Sequence, residues 1–282
     1  MNYQQYRPSG FSFLTPVIKN LLIINILFFV AQIAIGRAYP GLDIVDYLGL
    51  RFPGAENFRI YQVITYMFLH GDFWHLFFNM FALWMFGKPI EERFGARRFL
   101  IYYFVTGIGA AVFHYGVIWL WDLPQMFEYI NAFLLNPDVY TLQDVLASNP
   151  EGLYNFTEVK SAIAALQPQS ATPEIWVQNS LDLLVQYKSG MISSFNVIGA
   201  SGAVFGILLA FGMMFPNTLI YLYFAIPIKA KWFVMIYGAI ELFQGIRGSG
   251  SNVAHLAHVG GMVFGFLLIK LWNRRYNRPQ YF

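Results

Sequence analysis

The 282 residues include no cysteine. Disulfides, thiolate metal ligands and a cysteine nucleophile are therefore excluded. Charge is the second scarcity: only 12% of the residues are Asp, Glu, Lys or Arg, against roughly 25% in an ordinary soluble domain. Hydrophobic residues make up 57% of the chain, with 29 Phe and 18 Tyr, and the mean hydropathy is +0.48. So little polar surface cannot cover a water-soluble globule, and the composition reads as that of an integral membrane protein. A strongly basic balance is missing as well. The net charge is +3, and Lys and Arg gather at the ends of apolar runs, which argues against a nucleic-acid partner and for a topology signal. Internal repeats and low-complexity tracts are absent. An uncleaved first span is expected near the start: the apolar run Leu21 to Ile35, extended back to Val17, approaches the roughly 20 residues that cross a bilayer. Ala31 and Ala34 are three apart, which is not the A-x-A spacing of a cleavage site.

What is present is a series of such runs. Six spans are expected, at about Val17–Gly36, Trp74–Gly87 (with Tyr61–Leu69 leading in), Phe99–Trp121, Gly199 to just before Pro216, Trp232–Ile246 and Ala254–Trp272. An even number puts both termini on one side of the bilayer. With the N-terminus inside, twelve of the 18 Lys and Arg fall on inner segments and six on outer ones, as the positive-inside rule requires. Trp121, Trp232 and Trp272 stand at span ends, where aromatic anchors sit. The expected class is thus an all-α polytopic bundle with both termini cytoplasmic; the location expected for it, not read from charge, is the inner (cell) membrane of a bacterium.

Residues 122–196 do not belong to the bilayer. From Asp122 to Phe195 there are eight acidic residues and two lysines, punctuated by Pro124, Pro137, Pro150, Pro168 and Pro173. Leu142–Ala147 and Glu174–Tyr187 have helical texture. The chain therefore divides into an inner tail (1–16), spans one to three (17–121), an outer-face insertion (122–196), spans four to six (197–273) and a second inner tail (274–282).

Polar groups inside a bilayer are costly and default to functional candidates. Span two carries His75 and Asn79, i, i+4 on one helical face, with His70 shortly before them. Span four opens on Gly199-Ala200-Ser201-Gly202, span six carries His255 and His258, span five Glu241 and span three His114. A serine hydroxyl is a weak nucleophile until a base takes its proton. At a helix N-terminus framed by glycines it is open to close approach, and the free N–H groups there favour a developing oxyanion. In span six, Gly261 and Gly265 form a small-xxx-small face that His258, three residues before Gly261, shares. Glu241 reads as a carboxyl hydrogen-bonded to a neighbouring helix and His114 as a satisfied polar contact. Ser193 and Ser194 lack the glycine frame. The loop Gln244–Asn252, with three glycines, reads as a mobile cap between spans five and six. A proton-coupled transporter would call for inverted repeats and paired broken helices, and neither is found.

The set His75-Leu-Phe-Phe-Asn79, Gly199-Ala-Ser201-Gly202 and Ala257-His258-Val-Gly-Gly261-Met-Val-Phe-Gly265 resembles the signature of the rhomboid intramembrane serine proteases. The motifs fall on spans two, four and six in that family's order, and Glu91-Glu92-Arg93-Phe94-Gly95 looks like its ExxxG turn. The resemblance implies a six-helix rhomboid core of bacterial type that hydrolyses peptide bonds in or beside the transmembrane segments of protein substrates. It implies Ser201 as nucleophile and His258 as base in a Ser–His dyad. His75 and Asn79 with the Ser201 N–H would form the oxyanion hole. Gly199 and Gly202 would allow close approach, Phe205 would pack on the His258 ring where some relatives carry Tyr, and Gly261 and Gly265 would bring span six against span four. No cofactor or metal is implied, and the alternative within the family is a non-catalytic, client-binding relative. Tyr61-Gln62 stands where the family has Trp-Arg. The insertion enlarges the third loop, and its two readings, substrate recruitment or screening and a cap on the bundle, stay open.

Overall fold

The structure is a computed structural model that describes residues 13–150, 152–222, 225–247 and 254–275. Its main helices, in chain order, are α1 (Pro16–Ala38), α2 (Phe73–Phe94), α3 (Ala96–Val117), α4 (Glu128–Leu135), α5 (Val139–Ala147), α6 (Phe156–Leu166), α7 (Pro173–Ser194), α8 (Ser201–Met214), α9 (Ala230–Arg247) and α10 (His255–Arg275). Six of them, α1 to α3 and α8 to α10, match the six expected spans. The chain is an all-α, polytopic bundle. Two small antiparallel ladders accompany it. β1 (Leu50–Arg51) pairs with β2 (Asn196–Val197), and β3 (Leu219–Leu222) pairs with β4 (Ile226–Lys229) between α8 and α9. The β3–β4 ladder was not foreseen, because its run is too short and too uniformly apolar to show a strand period.

Chain contacts divide the protein into two compact units. The first takes the described parts of Met1–Leu48, Val63–Phe113 and Ile198–Phe282. Three helical stretches are long and apolar enough to cross a membrane: Pro16–Ala38, Ala96–Met126 and His255–Asn273. The other three bundle helices fail that test for a reason that bears on function. α8 has only 14 residues, and α2 and α9 carry polar groups, His75 and Asn79 in the first two turns of the one and Glu241 within the other. α8 packs against α2, α9 and α10, so the polar helices converge on the shortest one.

α2 extends well past the expected end at Gly87, to Phe94. Its last two turns read as polar, but Glu91 is only 3% exposed. Its carboxylate accepts from the Thr15 hydroxyl and from the Val17 and Ile18 N–H groups at 3.0 and 2.9 Å, satisfying donors that the first turn of α1 leaves free. Gly95, with φ +78°, then ends the helix. α9 likewise runs to Arg247, so the first part of the proposed cap loop is helix. Residues 248–252, the rest of that loop, lie outside the described residues.

The glycine at the crossing of α8 and α10 is a matter of space. A Cβ on Gly261 would lie 1.9 Å from the Gly202 carbonyl oxygen, and backbone cannot swing aside. A Cβ on Gly202 would in turn collide with the Ala110 Cβ of α3. Gly265 corrects an expectation. The nearest atoms to its Cβ position belong to Tyr102 and Thr106 of α3, so its bareness serves the α3 contact rather than that with span four. Half a heptad further along the helix the exposed direction has rotated onto the next neighbour. Gly261→Ala is expected to destabilise the bundle by the cost of overpacking, about 1–3 kcal/mol. Thermal melting followed by circular dichroism in detergent checks this, and an unchanged midpoint would show that the two backbones are not in contact.

The second unit comprises Gly49–Gln62 and His114–Val197. The insertion has a core of its own, built from Phe127, Ile130, Phe133, Leu142, Phe156 and Trp176 among others. Both stretches with helical texture are helices, each with a sequence-readable start. Asp138 makes a capping box with Thr141 at α5, and Thr172 followed by Pro173 opens α7, as cap preferences dictate. α4 and α6 were missed, although Phe156, Val159 and Ile163 recur at helical spacing. The first outer segment joins this unit. Buried Arg51 and Asn57 both donate to the Ser193 carbonyl at 3.3 and 3.4 Å. Gln62, standing where the family has Arg, accepts from the Arg59 N–H at 3.0 Å and donates to the Asn57 carbonyl at 3.2 Å. A neutral amide thus supplies both the acceptor and the donor that shape this loop.

Candidate active site

Ser201 is the first residue of α8 and is half-buried. The N–H groups of the first turn of a helix have no acceptor one turn earlier, so this end presents free donors beside the hydroxyl. The entry to the helix is set by Gly199, whose φ of +120° is disfavoured for residues with a side chain. Its N–H donates to the Tyr66 carbonyl at 2.9 Å. A Cβ there would also sit 2.9 Å from Cε1 and Nε2 of His75 and 3.7 Å from the Ser201 Oγ. Bareness at Gly199 therefore keeps open a space bordered by one imidazole and one hydroxyl.

His258, one turn into α10, is 8% exposed. Its Nε2 lies 2.8 Å from the Ser201 Oγ, and the Phe205 ring stacks on its imidazole with centroids 4.2 Å apart and planes 8° from parallel. Tyr237 of α9 flanks Phe205 on another side, at 5.0 Å between centroids. The ring is held flat, with its Nε2 edge toward the serine.

The other edge meets a residue set aside in the sequence. Glu241 of α9 is 4% exposed. Its Oε2 lies 2.8 Å from the His258 Nδ1 and 2.7 Å from the His255 Nδ1. It does bond a neighbouring helix, as expected of it, and the bonded atom belongs to the candidate base. The dyad implied by the resemblance is thus extended by a carboxylate. The signal was a lone acid in the middle of an apolar helix, two histidines being its available partners. What hides it is that no motif supplies an acid to orient His258, and Glu241 stands on another helix, 17 residues from that ring in sequence.

His75 has Nδ1 3.3 Å from the Gly71 N–H, which it accepts. A neutral imidazole with a lone pair on Nδ1 carries its proton on Nε2, and that nitrogen is the one beside Gly199. His75 therefore offers an N–H donor at the open space. Asn79 donates one amide hydrogen to the His75 carbonyl in its own helix at 2.9 Å, leaving a second hydrogen. His70 is fully buried, its ring 5.1 Å from that of His75. His114 lies against the Tyr115 ring, Ser194 donates to the Met191 carbonyl, and neither Ser193 nor Ser194 has an imidazole on its hydroxyl among the described hydrogen bonds.

Glu241, His255 and His258 also bring three metal-ligating atoms within 4.8 Å of one another. Two imidazole nitrogens already hydrogen-bond one carboxylate oxygen there.

The Rhomboid domain profile matches residues 57–119 and 176–275, more than half of the chain. The chain belongs to the rhomboid family. The unmatched stretch between the two matches lies largely within the insertion. Among related proteins, an uncharacterised mitochondrial rhomboid protein of Schizosaccharomyces pombe is 27% identical over 238 residues, 78% of this chain and 55% of that protein. Rhomboid-like protease 3 of Toxoplasma gondii is 29% identical over 90 residues, 31% of this chain and 34% of its own length. Inactive RHOMBOID-like protein 8 of Arabidopsis thaliana is 32% identical over 72 residues, 26% of this chain and 20% of its own. The chain spans about half or less of the length of these relatives. The mitochondrial relative departs from the expected bacterial cell membrane, and no feature here marks the core as bacterial in type. Charge asymmetry fixes which end faces inward but not which membrane holds the protein. A multi-pass rhomboid membrane protein is what stands.

Proposed function

We propose that this rhomboid protein is a serine endopeptidase that hydrolyses peptide bonds in or beside the transmembrane segments of membrane proteins. The observation that carries the reading is the 2.8 Å contact between the Ser201 Oγ and the His258 Nε2, at a helix N-terminus inside a membrane bundle. The Ser201 oxygen attacks the scissile carbonyl carbon as its proton passes to Nε2 of His258. The carbonyl oxygen takes the negative charge and is held by the Ser201 N–H, the His75 Nε2–H and the second amide hydrogen of Asn79. Collapse breaks the C–N bond, and the leaving amine takes the proton from His258. Water, deprotonated by the same nitrogen, then attacks the acyl carbon and restores the serine. An order of six spans that starts on the Lys- and Arg-rich side supports an outer-facing position for this end of α8, from which water can enter.

A client-binding relative without activity has no need of a serine and a histidine in hydrogen-bond contact, which favours the enzyme reading. The decisive experiment treats the purified protein with a fluorophosphonate or isocoumarin probe and maps the adduct by mass spectrometry. Labelling at Ser201 is expected, and the absence of any adduct there would remove the reading. Loss of one oxyanion donor typically costs about 10²–10³ in rate. His75→Ala and Asn79→Ala are therefore each expected to slow cleavage of a transmembrane substrate by that order while probe labelling persists. Wild-type turnover in both would make these side chains structural.

A further inference from the structure

The peptidase reading leaves Glu241 and His255 without a task, although both are held in the same cluster. We infer that Glu241 is the positioning residue of His258, so that the chain works through a Ser201–His258–Glu241 relay in which His255 clamps the carboxylate. The inference rests on the peptidase reading and deepens it.

A carboxylate buried to 4% exposure in an otherwise apolar helix is costly unless hydrogen-bonded and paired. Glu241 meets that requirement at a single oxygen, Oε2, which both imidazoles approach through Nδ1 at 2.7 and 2.8 Å. An ionised carboxylate only accepts hydrogen bonds, so each Nδ1 must carry a hydrogen. For a neutral His258 that leaves Nε2 as a bare lone pair, and Nε2 is the atom 2.8 Å from the Ser201 Oγ. Glu241 thereby selects the one neutral tautomer that can accept the serine proton. When His258 takes that proton it becomes an imidazolium, and Glu241 lies against its far edge as counter-charge. No atom of Glu241 touches the reacting bond, so its effect passes through His258.

The fold explains why two histidines are present. His255 and His258 are three residues apart on the first turn of α10 and so share the face turned to α9. The rings stand at 88° to each other with centroids 6.2 Å apart, so the carboxylate is gripped from two directions and cannot rotate away from His258. Phe205 and Tyr237 limit tilting of the His258 ring, but stacking resists a ring flip only weakly. The Nδ1 contact is what distinguishes the two ends of the imidazole.

The test uses the full-length protein in proteoliposomes with a co-reconstituted transmembrane substrate, comparing Glu241→Gln, Glu241→Asp and Ser201→Ala with the wild type. Disturbing the tautomer of a triad histidine lowers kcat by about 10⁴-fold in a serine protease of unrelated fold. Glu241→Gln is expected to lose kcat by about 10³–10⁴-fold with KM and melting midpoint little changed. Glu241→Asp, which keeps the charge on a shorter arm, is expected to recover at least about tenfold over Gln. Turnover by Glu241→Gln within threefold of the wild type overturns the inference. So do equal losses in Gln and Asp accompanied by a lowered melting midpoint and unchanged kcat per folded molecule, which is what a structural carboxylate would give. Continued cleavage by Ser201→Ala would instead overturn the peptidase reading, so the two failures are told apart.

Discussion

Ser201→Ala is expected to reduce cleavage of a transmembrane substrate by about 10⁶-fold, the scale on which removing a triad nucleophile acts. The structure gives two reasons to expect the whole of that loss. Ser201 is the one hydroxyl among the described hydrogen bonds that meets an imidazole nitrogen, so no second serine is prepared to replace it. The change also removes a single oxygen from a half-buried position, and Ala is a better helix former than Ser, so α8 should persist. The matching measurement pairs substrate cleavage with melting of the purified variant. An intact melt with activity lost assigns the loss to chemistry. Activity within about tenfold of the wild type would mean that the bond is broken by another group, and the Ser201–His258 contact would then be a packing hydrogen bond.

Much of this was legible because membrane proteins obey severe rules. Six apolar runs gave six helices, since a backbone in lipid must satisfy its own hydrogen bonds and helices do so. Ser201, His258 and Phe205 come together as their motifs suggested, because GxSG and AHxxGxxxG are themselves packing instructions: the glycines specify where helices touch and therefore which polar side chains meet. The failures share a physical origin as well. Glu91 and Glu241 looked like ends or exceptions to apolar segments, whereas each is turned inward onto donors contributed by another helix, a relation that no local pattern carries. Gly265 was assigned to the wrong neighbour, because small-xxx-small spacing marks a close contact without naming the partner. The insertion showed its polar composition and two of its helices. Its core, joining Phe127 to Trp176 across some fifty residues, is a tertiary fact of the kind that hydrophobic periodicity does not reach.

The order of severity between the two histidines of α10 tests the assignment from the other side. His258→Ala is expected to equal Ser201→Ala, at about 10⁶-fold, because nucleophile and base act as one unit and losing either forfeits the whole. His255→Ala should be far milder. Its ring hydrogen-bonds the Glu241 Oε2, at 2.7 Å, and the His258 bond to the same oxygen remains when it is lost. A hydrogen bond to a charged group contributes about 1.5–3 kcal/mol, so even if all of it acted on the transition state the loss would be on the order of ten- to a hundredfold. The two substitutions remove the same number of atoms three residues apart on one helix, so their effects on folding should be similar, and a melting comparison removes what difference there is. The contact to the Ser201 Oγ is the chemical difference between them, and the Phe205 stack on His258 is a packing difference that the melt reads. Should His255→Ala prove the more damaging, the proton would have to leave Ser201 toward His255, and α10 would be shifted by about one turn along α8 in the working enzyme.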